Sequence, residues 1–128
     1  MKSDIVIYMG GDNLDLIQIM KALGDETRLR ILNLLSKSEL CVCEIEQLLE
    51  INQSNASRHL NKLTTTGIIK YEKRALYVYY KINNDILDEF LFLRDFISLE
   101  LNKIEKWNVD LVKLEKYRRS GLSCDDLK

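Results

Sequence analysis

The chain has 128 residues, 46% hydrophobic and 30% charged, with three cysteines and no proline. That length fits one domain with a single core, and no run of about 18 uncharged apolar residues occurs to cross a membrane. The formal net charge of −1 hides a polarity: residues 52 to 82 hold Arg58, Lys62, Lys70, Lys73, Arg74 and Lys81 against Glu72 alone, a local +5 that leaves −6 on the remainder. A basic segment in an acidic body turns one face toward a polyanion and limits non-specific adhesion by the rest. The opening Met1-Lys2-Ser3-Asp4 lacks a secretory apolar stretch, so a cytoplasmic protein is expected. There, an odd number of cysteines reads as free thiols, metal ligands or redox sites rather than as a disulfide scaffold.

In chain order, a short apolar run, Ile5-Val6-Ile7-Tyr8, is followed by Gly10-Gly11-Asp12 and then a first helix of about ten residues carrying Leu14, Leu16, Ile17, Ile19 and Met20. Gly24-Asp25 ends it, and Asp25 suits the N-cap of a second helix that turns Leu29 and Leu32, with Ile31, Leu34 and Leu35, toward the core. Ser36-Lys37-Ser38 closes that helix. A third helix is predicted from about Cys41 to Glu50, with Ile45, Leu48 and Leu49 inward. A polar turn capped by Asn52 or Ser54 leads to a fourth helix, Asn55 to Thr65, burying Ala56, Leu60 and Leu63. Two short helices across a tight turn form a helix-turn-helix.

Gly67 stands at the C′ position after the fourth helix. Residues 68 to 72 and 76 to 82 are rich in β-branched and aromatic side chains and are separated by Lys73-Arg74-Ala75 alone, which predicts a β-hairpin. Asn83 or Asn84 can cap a last helix whose apolar pattern runs to about Arg119, where Ser120-Gly121 breaks it. Such a helix has more apolar surface than one small domain covers, so residues 84 to 119 are expected to pair with a second subunit beside the first helix. The expected fold is mainly α with a β-hairpin wing, a single winged helix-turn-helix domain over 1–128 with a long dimerisation helix and a short tail.

Three motifs stand in order: Ala22-Leu23-Gly24-Asp25-Glu26-Thr27-Arg28-Leu29-Arg30-Ile31-Leu32, Cys41-Val42-Cys43, and Ser57-Arg58-His59-Leu60-Asn61-Lys62-Leu63. Over residues 20 to 82 the chain resembles the ArsR/SmtB family of bacterial arsenical and metal-sensing repressors. The resemblance implies a homodimeric repressor rather than an enzyme, with the second motif helix in the major groove of double-stranded operator DNA arranged as an inverted repeat. Gln53, Ser54, Asn55, Ser57, Arg58 and His59 occupy the DNA-facing positions, with Lys62 on the same helix. Arg can read guanine through two hydrogen bonds, and Ser and Asn can bond phosphates or bases. Lys73 and Arg74 at the wing tip would reach neighbouring phosphates or the minor groove. Family wings often carry a tip glycine, which this one lacks. His59, the one histidine, is expected to face DNA rather than bind a metal.

The thiols suggest the trigger. In a regular helix, residues two apart point about 200° away from each other, so Cys41 and Cys43 can share one ion only in a frayed or distorted first turn. Binding would then deform the helix that supports the reading helix. In arsenical-sensing relatives a third cysteine follows three residues after the pair; Glu46 stands there in this chain. Cys124, beyond the Ser120-Gly121 break, is the other thiol, and is either an inert tail cysteine or a third ligand reaching its own or its partner's pair. Relatives that sense cadmium or lead add N-terminal cysteines, and residues 1 to 40 have none. The zinc-sensing pattern needs histidines that residues 83 to 119 lack.

Soft thiolates without imidazole favour a thiophilic ion. The expected inducer is As(III) or Sb(III), held by Cys41, Cys43 and Cys124, with no cofactor required for DNA binding. The alternatives are a family member switched by another soft metal or by cysteine oxidation. A thiol redox protein is the weaker one, because C-x-C replaces C-x-x-C and no βαβ unit surrounds it.

Overall fold

The structure is a computed structural model and describes residues 12–127, so the apolar run Ile5-Val6-Ile7-Tyr8 lies outside the described residues. The elements are α1 (Asp12–Leu23), α2 (Glu26–Leu35), β1 (Leu40–Cys41), α3 (Val42–Leu49), α4 (Gln53–Thr65), β2 (Ile69–Arg74), β3 (Tyr77–Ile82), α5 (Asn84–Glu89), α6 (Leu91–Asp95) and α7 (Asn108–Ser120). Between α6 and α7 the chain makes a π-helical turn, Phe96–Glu100, and two 3-10 turns, Leu101–Lys103 and Glu105–Trp107; a last 3-10 turn spans Cys124–Leu127.

Caps set the local boundaries. The Asp25 carboxylate accepts from Thr27 N at 3.2 Å and starts α2. Asn52 Oδ1 accepts from Asn55 N at 2.8 Å, so α4 begins at Gln53, two residues before the predicted start. Gly67, at φ +85°, ends α4 in the left-handed region that favours glycine. The hairpin β2–β3 closes with Arg74 opposite Tyr77, leaving Ala75 and Leu76 as a two-residue turn. Ala75 takes φ 55°, so the wing closes without a tip glycine at a strain of about 1–2 kcal/mol.

The sheet is antiparallel in the order β1-β3-β2. Two-residue strands leave no periodic signal, and β1 is legible only in three dimensions, where Leu40 pairs with Tyr80 and Cys41 with Tyr79. Ile19, Ile31, Leu32, Ile45, Leu60 and Leu63 join α1 to α4 in one core.

The predicted continuous helix over 84–119 is not present. The backbone breaks at Phe90 (φ −120°, ψ 89°) and at Ile104 (φ −83°, ψ 99°). The segment folds back so that Leu93, Ile97, Leu101, Trp107 and Leu114 bury in the chain's own core. Apolar periodicity records which residues are buried and not whether the helix between them is continuous. Polar anchors hold the fold-back: Trp107 Nε1 donates to Glu26 Oε2 at 2.9 Å, and Arg30 pairs with the buried Asp110. The apolar side chains left outside include Leu16, Ile17 and Met20 of α1, Leu91, Phe92 and Leu99, and Val109 and Val112 of α7. Among the described residues, no helix is long and apolar enough to cross a membrane.

Candidate DNA-reading face and thiol cluster

The amphipathic pattern of α4 sorts its side chains. Ala56, Leu60 and Leu63 are buried, as their spacing predicts, while Gln53, Ser54, Asn55, Ser57, Arg58, Asn61 and Lys62 are exposed. Arg58 Nη2 donates to Asn55 Oδ1 at 3.2 Å, which holds the guanidinium over the first turn of the helix. At the wing, Lys73 and Arg74 are exposed. Arg74 lies 4.6 Å above the Tyr79 ring and pairs with the Glu39 carboxylate, so its charge is already partly matched.

His59 departs from the DNA-facing position expected of it. It is 5% exposed, on the inner side of α4. Its Nδ1 lies 3.2 Å from Arg28 Nη1 and 3.6 Å from Asp25 Oδ2, and its Nε2 lies 3.4 Å from Arg58 Nη2. Burial pushes its pKa down, Asp25 works against that shift, and Arg58 and Arg28 add to it. The reason is helical phase: His59 precedes Leu60 and follows Ala56 by three positions, which places it on the buried stripe.

The thiols come together in a way the helix geometry alone did not allow. Cys41 is the N-cap of α3, with extended backbone at φ −90° and ψ 169°. Its side chain therefore escapes the helical rotation, and Cys41 Sγ sits 3.1 Å from Cys43 Sγ with no distortion of α3. Cys124 comes from the last 3-10 turn, which packs on α3, and it is disulfide-bonded to Cys41. Only Cys43 is a free thiol, so the expectation of free thiols fails for the other two. All three sulfurs lie within 4.8 Å of one another.

Cys124 is also neither loose nor solvated. It is 1% exposed, and its turn is held by Tyr77 Oη donating to Asp125 and by Ser123 N donating to Asp126 Oδ2 at 2.7 Å. It reaches the pair of its own chain.

Sequence reasoning missed two residues that support this cluster. Glu44 Oε1 accepts from Cys41 N at 2.9 Å and its Oε2 accepts from Tyr117 Oη, so one carboxylate ties the start of α3 to α7. Glu44 at the third helical position after the cap was a readable capping signal; Tyr117, 73 residues away, carried none. Burial and then Glu44 raise the Tyr117 pKa. The Cys43 thiol is pushed up by burial and by the Glu44 charge, which favours a protonated resting state. With thiolate–metal bonds of about 2.3 Å, two ligands of one ion stand at most about 4.6 Å apart, so the cluster fits a soft ion after small movements once the disulfide is opened.

Residues 25–71 match the family described as bacterial regulatory protein, arsR family; that stretch contains Cys41, Cys43 and α4 but not Cys124. Over 92 residues the chain is 36% identical to a cadmium resistance transcriptional regulatory protein, a CadC homolog of Staphylococcus aureus, covering 67% of this chain and 76% of that protein. It is 42% identical over 71 residues to the arsenical resistance operon repressor of Escherichia coli K12, covering 55% of this chain and 61% of that one. Among solved structures, HlyU from Vibrio cholerae N16961 superposes with a TM-score of 0.58 at 30% identity, over 70% of this chain and 98% of that chain.

Proposed function

This chain belongs to the arsR family of bacterial regulatory proteins, and from that premise we propose that it is a dimeric repressor that leaves its operator when Cys41, Cys43 and Cys124 capture As(III) or Sb(III). The observation that carries the reading is the convergence of all three sulfurs within 4.8 Å at the start of α3, the helix that packs directly on α4. No imidazole lies in the cluster and the Glu44 carboxylate is engaged by Cys41 N and Tyr117, which leaves a soft all-sulfur donor set suited to a thiophilic ion.

The chemistry balances in two steps. A small-molecule thiol reduces the Cys41–Cys124 disulfide, two of its molecules becoming a disulfide as the protein gains two thiols. Arsenous acid then exchanges its three hydroxyls for three sulfurs, each protein thiol giving up its proton, with release of three waters. Ligation acts where β1, α3 and the tail meet. Release follows if the ligated cluster fits the DNA-free arrangement of these elements better than the DNA-bound one.

On the DNA side, Gln53, Ser54, Asn55, Ser57, Arg58 and Lys62 would meet the major groove of an inverted repeat, with Lys73 and Arg74 on flanking phosphates. The exposed Leu16, Ile17 and Met20 on α1 favour a homodimer, and residues 1–128 then act as one unit in the cytoplasm. Mobility shifts of reduced protein on an inverted-repeat duplex test the reading. Release by arsenite in the wild type, and none in Cys43→Ser, is the expected result; release in both would reject the thiol site.

A second reading has its own observation. The Cys41–Cys124 disulfide makes oxidation itself a candidate trigger in the same repressor. It predicts that the oxidised protein releases DNA without arsenite, whereas under the first reading the oxidised protein stays bound and does not respond.

A further inference from the structure

Arg28 occupies a junction that the thiol site does not use and that the DNA-facing Arg58 touches only at its far side, where Arg58 Nη2 lies 3.4 Å from His59 Nε2. The Arg28 side chain is 12% exposed. Nε donates to Ala22 O at 2.7 Å and Nη2 to Lys21 O at 3.3 Å, two carbonyls in the last turn of α1, of which Lys21 O also accepts from Gly24 N at 3.2 Å. Nη1 points the other way, to His59 Nδ1 on α4 at 3.2 Å. Asp25, the cap of α2, stands 3.8 Å from Arg28 and 3.6 Å from His59. One planar guanidinium thus joins the end of α1, the start of α2 and the inner side of α4.

Guanidinium carries donors only. The 3.2 Å contact with Arg28 is therefore a hydrogen bond only when His59 Nδ1 accepts, in the neutral ring, and Arg58 Nη2, 3.4 Å from Nε2, is the more distant of its two guanidinium neighbours. A flexible ammonium could not meet three acceptors in these fixed directions, whereas the rigid fork of arginine can.

The three helices joined there carry different tasks. On the dimer reading above, α1 carries the exposed Leu16, Ile17 and Met20 of the subunit contact, and α4 carries the DNA-facing side chains. The angle between these helices decides how far apart, and at what tilt, two copies of α4 are presented. Half-sites of a dimer-bound operator lie about 34 Å apart, one turn of the duplex, so a small change at the junction becomes a change in the spacing that both subunits can occupy.

We propose that Arg28 and His59 are a positioning pair that sets the angle of the reading helix against the subunit-contact helix and so determines which half-site spacing the repressor accepts. The proposal rests on the dimeric DNA-binding reading. His59 is too buried to touch DNA and acts through α4; Arg28 acts through both helices.

The test uses the reduced full-length protein, a set of inverted-repeat duplexes differing only in spacer length, and a duplex with one half-site. Three variants separate the roles: His59→Leu keeps bulk and removes the acceptor, His59→Asn keeps an acceptor near the Nδ1 position, and Arg28→Lys keeps the charge and removes the fork. The wild type should prefer one spacer by about tenfold or more. His59→Leu and Arg28→Lys should flatten that preference while single-half-site binding stays nearly unchanged, and His59→Asn should retain it.

A second readout needs no DNA. Amide hydrogen exchange in α4 and at the end of α1 should quicken in His59→Leu and Arg28→Lys and stay near wild type in His59→Asn. Wild-type spacing preference or wild-type exchange in both His59→Leu and Arg28→Lys overturns the proposal. Equal losses in His59→Leu and His59→Asn also overturn it, because they would report packing rather than the hydrogen bond. If the wild type binds no inverted repeat, the DNA reading fails by itself and the exchange data still decide the pair.

Discussion

Arg30 Nε and Nη2 each donate over 2.9 Å to one oxygen of Asp110, joining α2 to α7 across eighty residues of sequence. Asp110 is fully buried and the Arg30 side chain is one quarter exposed. The Asp110 hydrogen bonds are the main cause of the raised Arg30 pKa. Two parallel charge-assisted bonds fix the approach of α7 as well as its attraction to α2, and they lie close to the point where the expected long helix folds back.

Removing the charge of Asp110 should therefore loosen the C-terminal third. Asp110→Asn keeps the shape but leaves Arg30 without its counter-charge, and should cost about 3 kcal/mol, the low end for a broken buried pair because Arg30 is partly solvated. A lower urea midpoint checks this. An unchanged midpoint would mean that Leu111 and Leu114 alone dock α7.

The subunit contact should respond to α1 and not to the C-terminal core. Ile17 is 48% exposed, so a glutamate in its place buries no charge inside the monomer, whereas Ile97 is 3% exposed and packed within it. Ile17→Glu should shift sedimentation toward monomer at an unchanged urea midpoint. Ile97→Asp should destabilise the fold by several kcal/mol and lower the midpoint, since a buried carboxylate has no partner there. A dimeric Ile17→Glu protein would move the contact elsewhere.

DNA contacts should divide by type. Arg58→Ala should cost about 1–3 kcal/mol and relax one position of the operator, whereas Lys73→Ala should weaken every duplex alike. Arg74→Ala should lose less than Lys73→Ala, because Glu39 and the Tyr79 ring already hold Arg74. Mobility shifts over a mutated-operator series at fixed salt measure all three, and a uniform loss in Arg58→Ala would remove that residue from base readout.

Cys124→Ser separates a three-thiolate site from a pair. Because Cys124 sits in its own chain's cluster, its loss should raise the arsenite needed for release while leaving the response to a monosubstituted arsenical, which has two open positions. Serine keeps the size but is a poor ligand for a soft ion. Wild-type behaviour toward both compounds would strike Cys124 from the ligand set.

Acid should weaken the junction at His59. Burial holds its pKa below the usual 6.5, against Asp25 and with Arg58 and Arg28. Between that lowered value and 6.5 the unfolded chain binds the additional proton, so stability rises with pH across this window. The contribution is complete above 6.5 and is lost as pH falls toward the folded value. Urea midpoints from about pH 7.5 down to about pH 5 should decline in the wild type and decline less in His59→Asn, which has nothing to titrate there. Equal slopes would assign the acid sensitivity to other groups.

The helix-turn-helix and its wing were readable before folding because their signals are local. Asp25 and Asn52 cap helices within three residues of themselves, Gly67 marks a left-handed end, and the period of Ala56, Leu60 and Leu63 states which side of α4 is buried. The same period already places His59 near that buried stripe; its partners, Arg28 and Asp25, come from another helix and leave no mark in the sequence. Continuity between Asn84 and Ser120 was not decided locally either: breaks at Phe90 and Ile104 let the apolar residues reach one core, with Arg30 and Glu26 as distant anchors. The meeting of Cys124 with Cys41 and Cys43 likewise depends on α7 docking and on the Tyr77–Asp125 contact. Short-range chemistry determined α2, α4 and the wing strands; contacts separated by 31 to 83 residues decided which side chains share a site, because only packing of the whole chain brings such residues within bonding distance.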